Sequence, residues 1–333
     1  MTKLGEPADI AAGQVDVARG VVALGRRAPS VHNTQPWAWR VDGDVLELRA
    51  DRDRQLPVSD PTGRNLMISC GAALHHAMVA AAGLGRAVDV ERFPDPGEPD
   101  LLAVMRLGET RPVTPSDASL LEALAARVTD RRRFTRWPVP EERLDMLAEV
   151  ARGRRGARVL PLTAAETRSL TEGLVERAID VLGRNRRFLA EQKAWIDRAD
   201  GEGIPAASLP ELQPGQRRDR FHRAPVDGSR VVSSDQLLAI ATARDDVASW
   251  LDTGETLSAL WLRATLGGLS VVPLTQVIEV AETRALLREQ VFASTAYPQL
   301  LARIGWLPVA RERQVPTARR RVAEVSEGLP GAG

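Results

Sequence analysis

The amino-acid sequence predicts an α+β protein built as two related halves, and three features carry that expectation. Trp37–Val41 and Val45–Ala50 are β-prone runs flanking Asp42-Gly43-Asp44, a hairpin signal. Helix-period segments alternate with further strand-like runs along the rest of the chain. Finally, Asp60-Pro61-Thr62-Gly63-Arg64-Asn65-Leu66 and Asp252-Thr253-Gly254-Glu255-Thr256-Leu257 each open a long helix of small residues. Both helices end at a glycine–leucine pair, Gly83-Leu84 and Gly268-Leu269. The identity is too thin to establish a duplication by itself. The expected halves are residues 1–110 and 111–333.

In order, Asp9 to Arg27 has apolar residues at helical spacing (Ile10, Val17, Val21, Leu24) and stops before Pro29. After the hairpin, Asp60-Pro61 offers an N-cap followed by proline at the first helical position. That helix runs through Leu66, Leu74 and Met78 to Gly83, with strands expected at Ala87–Phe93 and Leu101–Leu107. The second half begins after Thr110-Arg111-Pro112, with helices at Ser116–Arg127, Pro140–Ala151 and Ala164–Leu182 and a strand at Ala157–Leu162. Residues 185–233 are rich in charge, Gly and Pro, and a stretch that long reads as a functional cover or a mobile segment. Leu237–Thr242 is a strand, Asp252-Thr253-Gly254-Glu255 has capping-box spacing, and Leu300–Trp306 is strand-like ahead of Arg319-Arg320-Arg321.

Bulk properties narrow the function. The 333 residues are 44% hydrophobic and 27% charged, which suits a globular chain and not a disordered one. A net charge of +1 gives no basic surplus for a nucleic-acid backbone. Positive charge is almost all arginine, the lysines being Lys3 and Lys193, and guanidinium forks suit phosphate. The single cysteine, Cys70, excludes intrachain disulfides and thiolate clusters and reads as core packing in an apolar run. Ile68 to Gly85 is interrupted by His75 and His76 and reads as a buried helix, not a membrane span. The polar, acidic start carries no signal pattern, so a cytoplasmic protein is expected.

The densest motif is Ala28-Pro29-Ser30-Val31-His32-Asn33-Thr34-Gln35-Pro36-Trp37, at a helix-to-strand junction. Ser and Asn there are good backbone caps. Consecutive His, Asn, Thr and Gln between prolines exceed what a cap needs and could offer donors and acceptors to a planar heterocycle. Arg127-Val128-Thr129-Asp130-Arg131-Arg132-Arg133-Phe134 by itself reads first as a solvated charge run at a helix terminus. His75 and His76, being adjacent, point to different helix faces and make no i,i+4 zinc pair. Asp51–Arg54 alternates in charge and reads as surface. No hydrolase elbow or dinucleotide fingerprint occurs.

The Ala-Pro-Ser-x-x-Asn-Thr-Gln-Pro-Trp motif resembles the signature of nitroreductase-fold FMN-binding proteins. The Val31-His32 pair within it, Asp51-x-x-Arg54-Gln55-Leu56-Pro57, Ile68-Ser69-Cys70-Gly71-Ala72-Ala73-Leu74, Pro298-Gln299 and Arg303-Ile304-Gly305-Trp306 resemble the Acg subfamily. The resemblance implies central, mainly antiparallel sheets packed by helices, arranged like a fused homodimer. It implies FMN held by Ser30, His32, Asn33, Thr34 and Gln35 at the ring and by Arg127, Thr129 and Arg131 or Arg132 at the phosphate. Pro273, Leu274 and Thr275 would lie along the isoalloxazine edge, although the residues alone equally fit a helix-to-helix connector. Arg303, Arg319 and Arg320 would complete the phosphate pocket, with a solvated tail the competing reading for the last two.

The resemblance further implies hydride transfer from NADH or NADPH through FMN to a small organic oxidant, with no essential side-chain acid or base. The 185–233 segment raises a second reading, a flavin-sequestering protein with a lid. A biosynthetic flavin oxidase and a flavin-free scaffold are further rivals. The motif loop and the arginine motif occur once each, in opposite halves, so one flavin site and a monomer or weak homodimer are expected. No nucleic acid, membrane or metal is expected.

Overall fold

The computed structural model describes residues 17–131, 134–151, 156–196, 198, 202–205, 236–307 and 317–329. Helix α1 (Val17–Gly25) leads into β1 (Trp37–Asp42) and β2 (Val45–Ala50), the expected hairpin, with Trp37 opposite Ala50 and Asp42 opposite Val45. Then come α2 (Arg64–Gly83), β3 (Arg86–Arg92), β4 (Leu101–Thr110), α3 (Pro115–Ala126) and α4 (Glu141–Ala148). The chain continues through β5 (Ala157–Pro161), α5 (Ala165–Arg184), α6 (Arg186–Ala194), β6 (Gln236–Thr242), α7 (Val247–Leu266) and β7 (Leu269–Leu274). It ends in α8 (Gln276–Glu279), α9 (Ala281–Leu286), β8 (Tyr297–Trp306), α10 (Val322–Val325) and β9 (Ser326–Glu327).

The strands form two sheets, ordered β3-β4-β2-β1-β9 and β5-β6-β8-β7. One winding therefore occurs twice: a starting pair (β1 and β2, or β5 and β6) lies beside β4 or β8, and β3 or β7 takes the far edge. All pairings are antiparallel except β9, which adds parallel to β1 and carries the end of the chain back onto the first sheet. Strand β1 alternates between buried and more exposed positions, as a one-sided sheet requires, whereas β6 is buried at every position after its first. The second sheet has apolar clusters on both faces, one built with α7 and the other with α5 and α8.

Helices α2 and α7, each 20 residues, pack along each other, α2 against the first sheet and α7 against the second. A Cβ on Gly71 would collide with the Leu251 carbonyl, and one on Gly254 would collide with the Ile68 carbonyl. The contact is reciprocal, Ile68 and Gly71 against Leu251 and Gly254, so both glycines are required for the backbones to meet. Each helix then turns into its following strand through a left-handed glycine, Gly85 at φ 75° and Gly268 at φ 76°. Arg92 of β3 crosses the same interface, donating Nε and Nη2 to Glu255 of α7 at 2.7 and 2.6 Å.

Several sequence expectations change. Helix α2 starts at Arg64 after Gly63, so Asp60-Pro61 precedes it. The Asp60 carboxylate nonetheless accepts the Leu66 N–H at 2.9 Å, and burial pushes its pKa up to about 6. Asp252-Thr253-Gly254-Glu255 lies inside α7, whose N-cap is Asp246, because the helix begins earlier than the capping pattern suggested. Asp252 instead accepts the Ala157 N–H at 2.8 Å. The echo between the long helices therefore holds in another register, with the Gly71 and Gly254 contacts as its fixed points. Residues 186–194 form α6, capped by the Asn185 side chain, where irregular chain was expected. Residues 269–274 form a strand, so the connector reading fails. His75 and His76 both place Nδ1 on the Ser258 hydroxyl, at 2.7 and 2.8 Å, although they are sequence neighbours. Cys70 is buried, its thiol 3.1 Å from the Pro36 carbonyl. By length and composition α2 could cross a membrane, but 83% of its most apolar window is buried inside the fold.

Candidate active site

The loop after α1 is under backbone strain. His32, Asn33 and Gln35 have positive φ (47°, 58° and 49°), a region non-glycine residues rarely adopt. Hydrogen bonds hold it there. The Gln35 N–H donates to the Ser30 hydroxyl at 3.0 Å, and the Val31 N–H to the Ser69 hydroxyl on α2 at 3.2 Å. The Asn33 amide donates to the carbonyls of Gly203 and Ala318, both at 3.0 Å. Gln35 Oε1 accepts the Arg320 N–H at 2.9 Å, and Arg54 donates to the Thr34 carbonyl.

This loop forms one wall of a pocket flanked by α2 and α7, whose space, open mouth included, is about 810 Å³. Pro29 to His32 meet Asn65, Ile68 and Ser69 of α2, then Thr129 and Arg131, then Leu257 and Trp261 of α7. Val272, Pro273, Thr275 and Gln276, at the end of β7, complete the lining with Leu300 and Ile204. The lining thus mixes apolar side chains with nearly as many polar ones, a combination that suits an organic ligand with both an apolar body and polar edges.

Beside it lies a group of cations. Arg127 is buried, stacked 4.8 Å over the Trp261 ring, and its Nη2 donates to the Arg27 carbonyl at 3.1 Å. Arg319 donates Nη2 to the carbonyls of Arg27 and Ala28, each at 3.2 Å. Nε and Nη1 of Arg127 and Nε of Arg319 are buried with no hydrogen-bond partner among the described residues. Burial, then Arg27, lowers the Arg127 pKa to about 10; burial, then Arg127, Arg27 and Arg26, lowers that of Arg319 to about 9. Burial and the nearby Arg127 also push His76 well below its ordinary value. Neither Arg127 nor Arg319 has a carboxylate partner among the described residues, so these two guanidiniums are left without an anion there. A phosphate dianion is what such unfilled guanidinium donors fit.

Of the expected residues, Ser30, His32, Thr129, Arg131, Pro273 and Thr275 line the pocket. Asn33 and Gln35 instead tie the loop to the chain around Gly203 and to the C-terminal segment, and Thr34 is fully buried. Leu274 faces the core between the second sheet and α5. Arg303 is fully buried, its guanidinium 4.0 Å over the Phe134 ring. Arg127 and Arg319 lie behind the lining, Arg320 reaches Asp51 at 3.3 Å, and Arg132 falls outside the described residues. Sequence reasoning missed Asn65 and Trp261, which reach the pocket from α2 and α7; Gln276 closes the 271–276 segment expected along the isoalloxazine edge but was not named as a contact. Asn65, a polar residue in the first turn of a largely apolar helix, was the available signal.

One edge of the pocket is closed by the chain around Gly203. Ile204 is buried against it, and its N–H donates to the Trp195 carbonyl at 2.8 Å. Gly203 has φ 78°, and a Cβ there would strike that same carbonyl, so glycine is required. Glu202 pairs with Arg54 and approaches Arg320 Nε at 3.8 Å. Asp51–Arg54, expected as plain surface, is therefore partly a tie between the loop region, this segment and the C-terminal chain. The rest of the expected cover, 206–233, lies outside the described residues.

No family model matches the chain. Two Mycobacterium tuberculosis H37Rv proteins match nearly all of it. "Putative NAD(P)H nitroreductase Rv3131" is 37% identical over 94% of this chain and 91% of its own length. "Putative NAD(P)H nitroreductase acg" is 34% identical over 93% of this chain and 95% of its own. Among solved structures, the FMN-dependent nitroreductase NfnB from Mycobacterium smegmatis in complex with NADPH covers 65% of this chain and 94% of its own, with 18% identity and a TM-score of 0.41. On the near full-length match to the two mycobacterial relatives, the chain belongs to the NAD(P)H nitroreductase family, in the branch that contains Acg.

Proposed function

We propose that this protein is an FMN-dependent oxidoreductase that takes hydride from NADH or NADPH and passes it to a small organic oxidant. The observation that carries this reading is the pocket joining the strained Ser30–His32 loop to Thr129 and Arg131, beside Arg127 and Arg319, whose buried guanidinium nitrogens lack a partner among the described residues. When bound, FMN supplies the hydride acceptor and donor. Arg127, Arg319, Thr129 and Arg131 hold its phosphate. Ser30 and His32 meet the ring from the loop, and Pro273 and Thr275 meet it from the end of β7. Ile68, Leu257, Trp261, Val272 and Leu300 exclude water from the ring and leave its electrostatics to the few polar groups around it. Residues 1–110 and 111–333 act as the two halves of one site, and the α2–α7 contact replaces the interface a dimer would need, which favours a monomer.

Purified protein reconstituted with FMN should retain a flavin absorbance spectrum, and excess NADH or NADPH under anaerobic conditions should bleach it. Absence of the spectrum overturns the flavin reading; a retained but unbleached spectrum overturns turnover. The latter result would favour flavin sequestration, a reading supported by Ile204 buried in the pocket wall and by the Glu202 ties that close that edge.

A further inference from the structure

Beyond the loop and the arginines, one pocket side chain has a buried hydrogen-bonding atom with nothing to bind. Gln276 is the first residue of α8, directly after Thr275, and is 4% exposed. It lines the pocket, and its Oε1 is buried without a partner among the described residues. Its neighbour across the wall, Asn65, also lines the pocket and reaches Glu279 Oε1 at 3.5 Å, while Glu279 Oε2 is a second buried oxygen without a partner. Buried acceptors are normally satisfied, and one left open in a ligand pocket marks where a ligand donor belongs. This wall has surplus acceptors where the arginine side has surplus donors. A ligand spanning both would carry an anion at one end and an N–H at the other. A carboxamide side chain presents an acceptor and a donor side by side, the complement of an N–H next to a carbonyl.

We propose that Gln276 reads the amide or imide edge of the ligand in this pocket, an N–H adjacent to a carbonyl, and so sets ligand specificity. The inference rests on the flavin reading above. Two sources carry that chemistry: the imide edge of FMN and the carboxamide of a nicotinamide dinucleotide.

The test measures binding to the full chain. FMN and N3-methyl-FMN, which lacks the imide N–H, are titrated into wild type, Gln276→Leu and Gln276→Glu. If the flavin is the source, wild type should bind FMN at least tenfold more tightly than the N3-methyl compound. Gln276→Leu should lose that preference and bind FMN roughly 10- to 100-fold more weakly, and Gln276→Glu, which keeps an acceptor, should retain most of the preference. If FMN binding is unaffected, NAD+ and its acetylpyridine analogue, which keeps the carbonyl but lacks the N–H, are titrated into the FMN-loaded proteins. A preference for NAD+ that disappears in Gln276→Leu supports the proposal with the carboxamide as source. Unchanged preferences in both arms, with wild type binding FMN, overturn the role of Gln276 alone. A wild type that binds neither ligand overturns it together with the flavin reading. Thermal unfolding of apo Gln276→Leu should match or exceed wild type, because an unsatisfied buried acceptor has been removed, which separates lost recognition from misfolding.

Discussion

Around Arg127 and Arg319 the described residues supply other cations, backbone carbonyls, the Trp261 ring and the Thr317 hydroxyl but no carboxylate, so without a ligand these cations cost the fold stability. Arg319→Met should therefore change two quantities in opposite directions. The apo protein should become more stable by about 1–4 kcal/mol, while FMN binding weakens by about 1.5–3 kcal/mol, the worth of a hydrogen bond to a charged group. The pH dependence has a definite sign. With a folded pKa of about 9, below the ordinary 12.5, the cost of the buried cation is complete below pH 9. It falls by about 1.4 kcal/mol per pH unit above that point. Chemical denaturation of both apo proteins at pH 8 and pH 10 should show the gap closing at the higher pH. A destabilised apo variant, or undiminished flavin retention, would remove Arg319 from the anion site.

At the scale of elements, the contact between α2 and α7 is the most demanding packing in the molecule. Gly71→Ala would drive a methyl group into the Leu251 carbonyl, and a rigid helix backbone has little room to retreat. The expected cost is about 3 kcal/mol or more in thermal or denaturant unfolding. Gly173 in α5 is the control: nothing lies within 4 Å of an added Cβ, so alanine there should stabilise by about 0.5–1 kcal/mol. Equal effects at the two positions would contradict close backbone packing at the interface. The strand pattern was legible in the sequence for a simple reason. The β1–β2 hairpin is set by a local turn and by alternation, whereas the true starts of α2 and α7 depend on Gly63 and Asp246, which compete with better-looking caps nearby.

Across the whole molecule, one site draws on the N-terminal loop, α2, the chain after α3, α7, the end of β7 and the C-terminal segment. Glu202, on the segment around Gly203, ties the loop region to the C-terminal segment through Arg54 and Arg320. Glu202→Gln should loosen that closure and raise the rate of FMN release about tenfold, the loss of roughly one charge-assisted contact. Stopped-flow flavin fluorescence would measure it, and an unchanged release rate would mean that the pocket edge is not held by this carboxylate.

The amino-acid sequence by itself determined the hairpin, the two long small-residue helices, the buried cysteine and the motifs that place the chain in its family. Each of these rests on interactions between near neighbours: a turn, a helical period, a run of residues whose chemistry is dense enough to read. It also named Ser30, His32, Thr129, Arg131, Pro273 and Thr275, which meet in one pocket. Only the tertiary structure decided that Asn33 and Gln35 hold the loop to distant segments, that Leu274 turns into the core, and that Arg127, buried, and Arg319, partly buried, have no acid beside them among the described residues. It alone brought Asn65, Trp261 and Gln276 to the same wall. Those outcomes depend on which backbones approach each other when Gly71 meets Leu251 and Gly254 meets Ile68, and on the chain end folding back beside β1. Contacts between residues hundreds of positions apart leave no periodicity to read, so burial and unpaired charge emerge only when the halves are assembled.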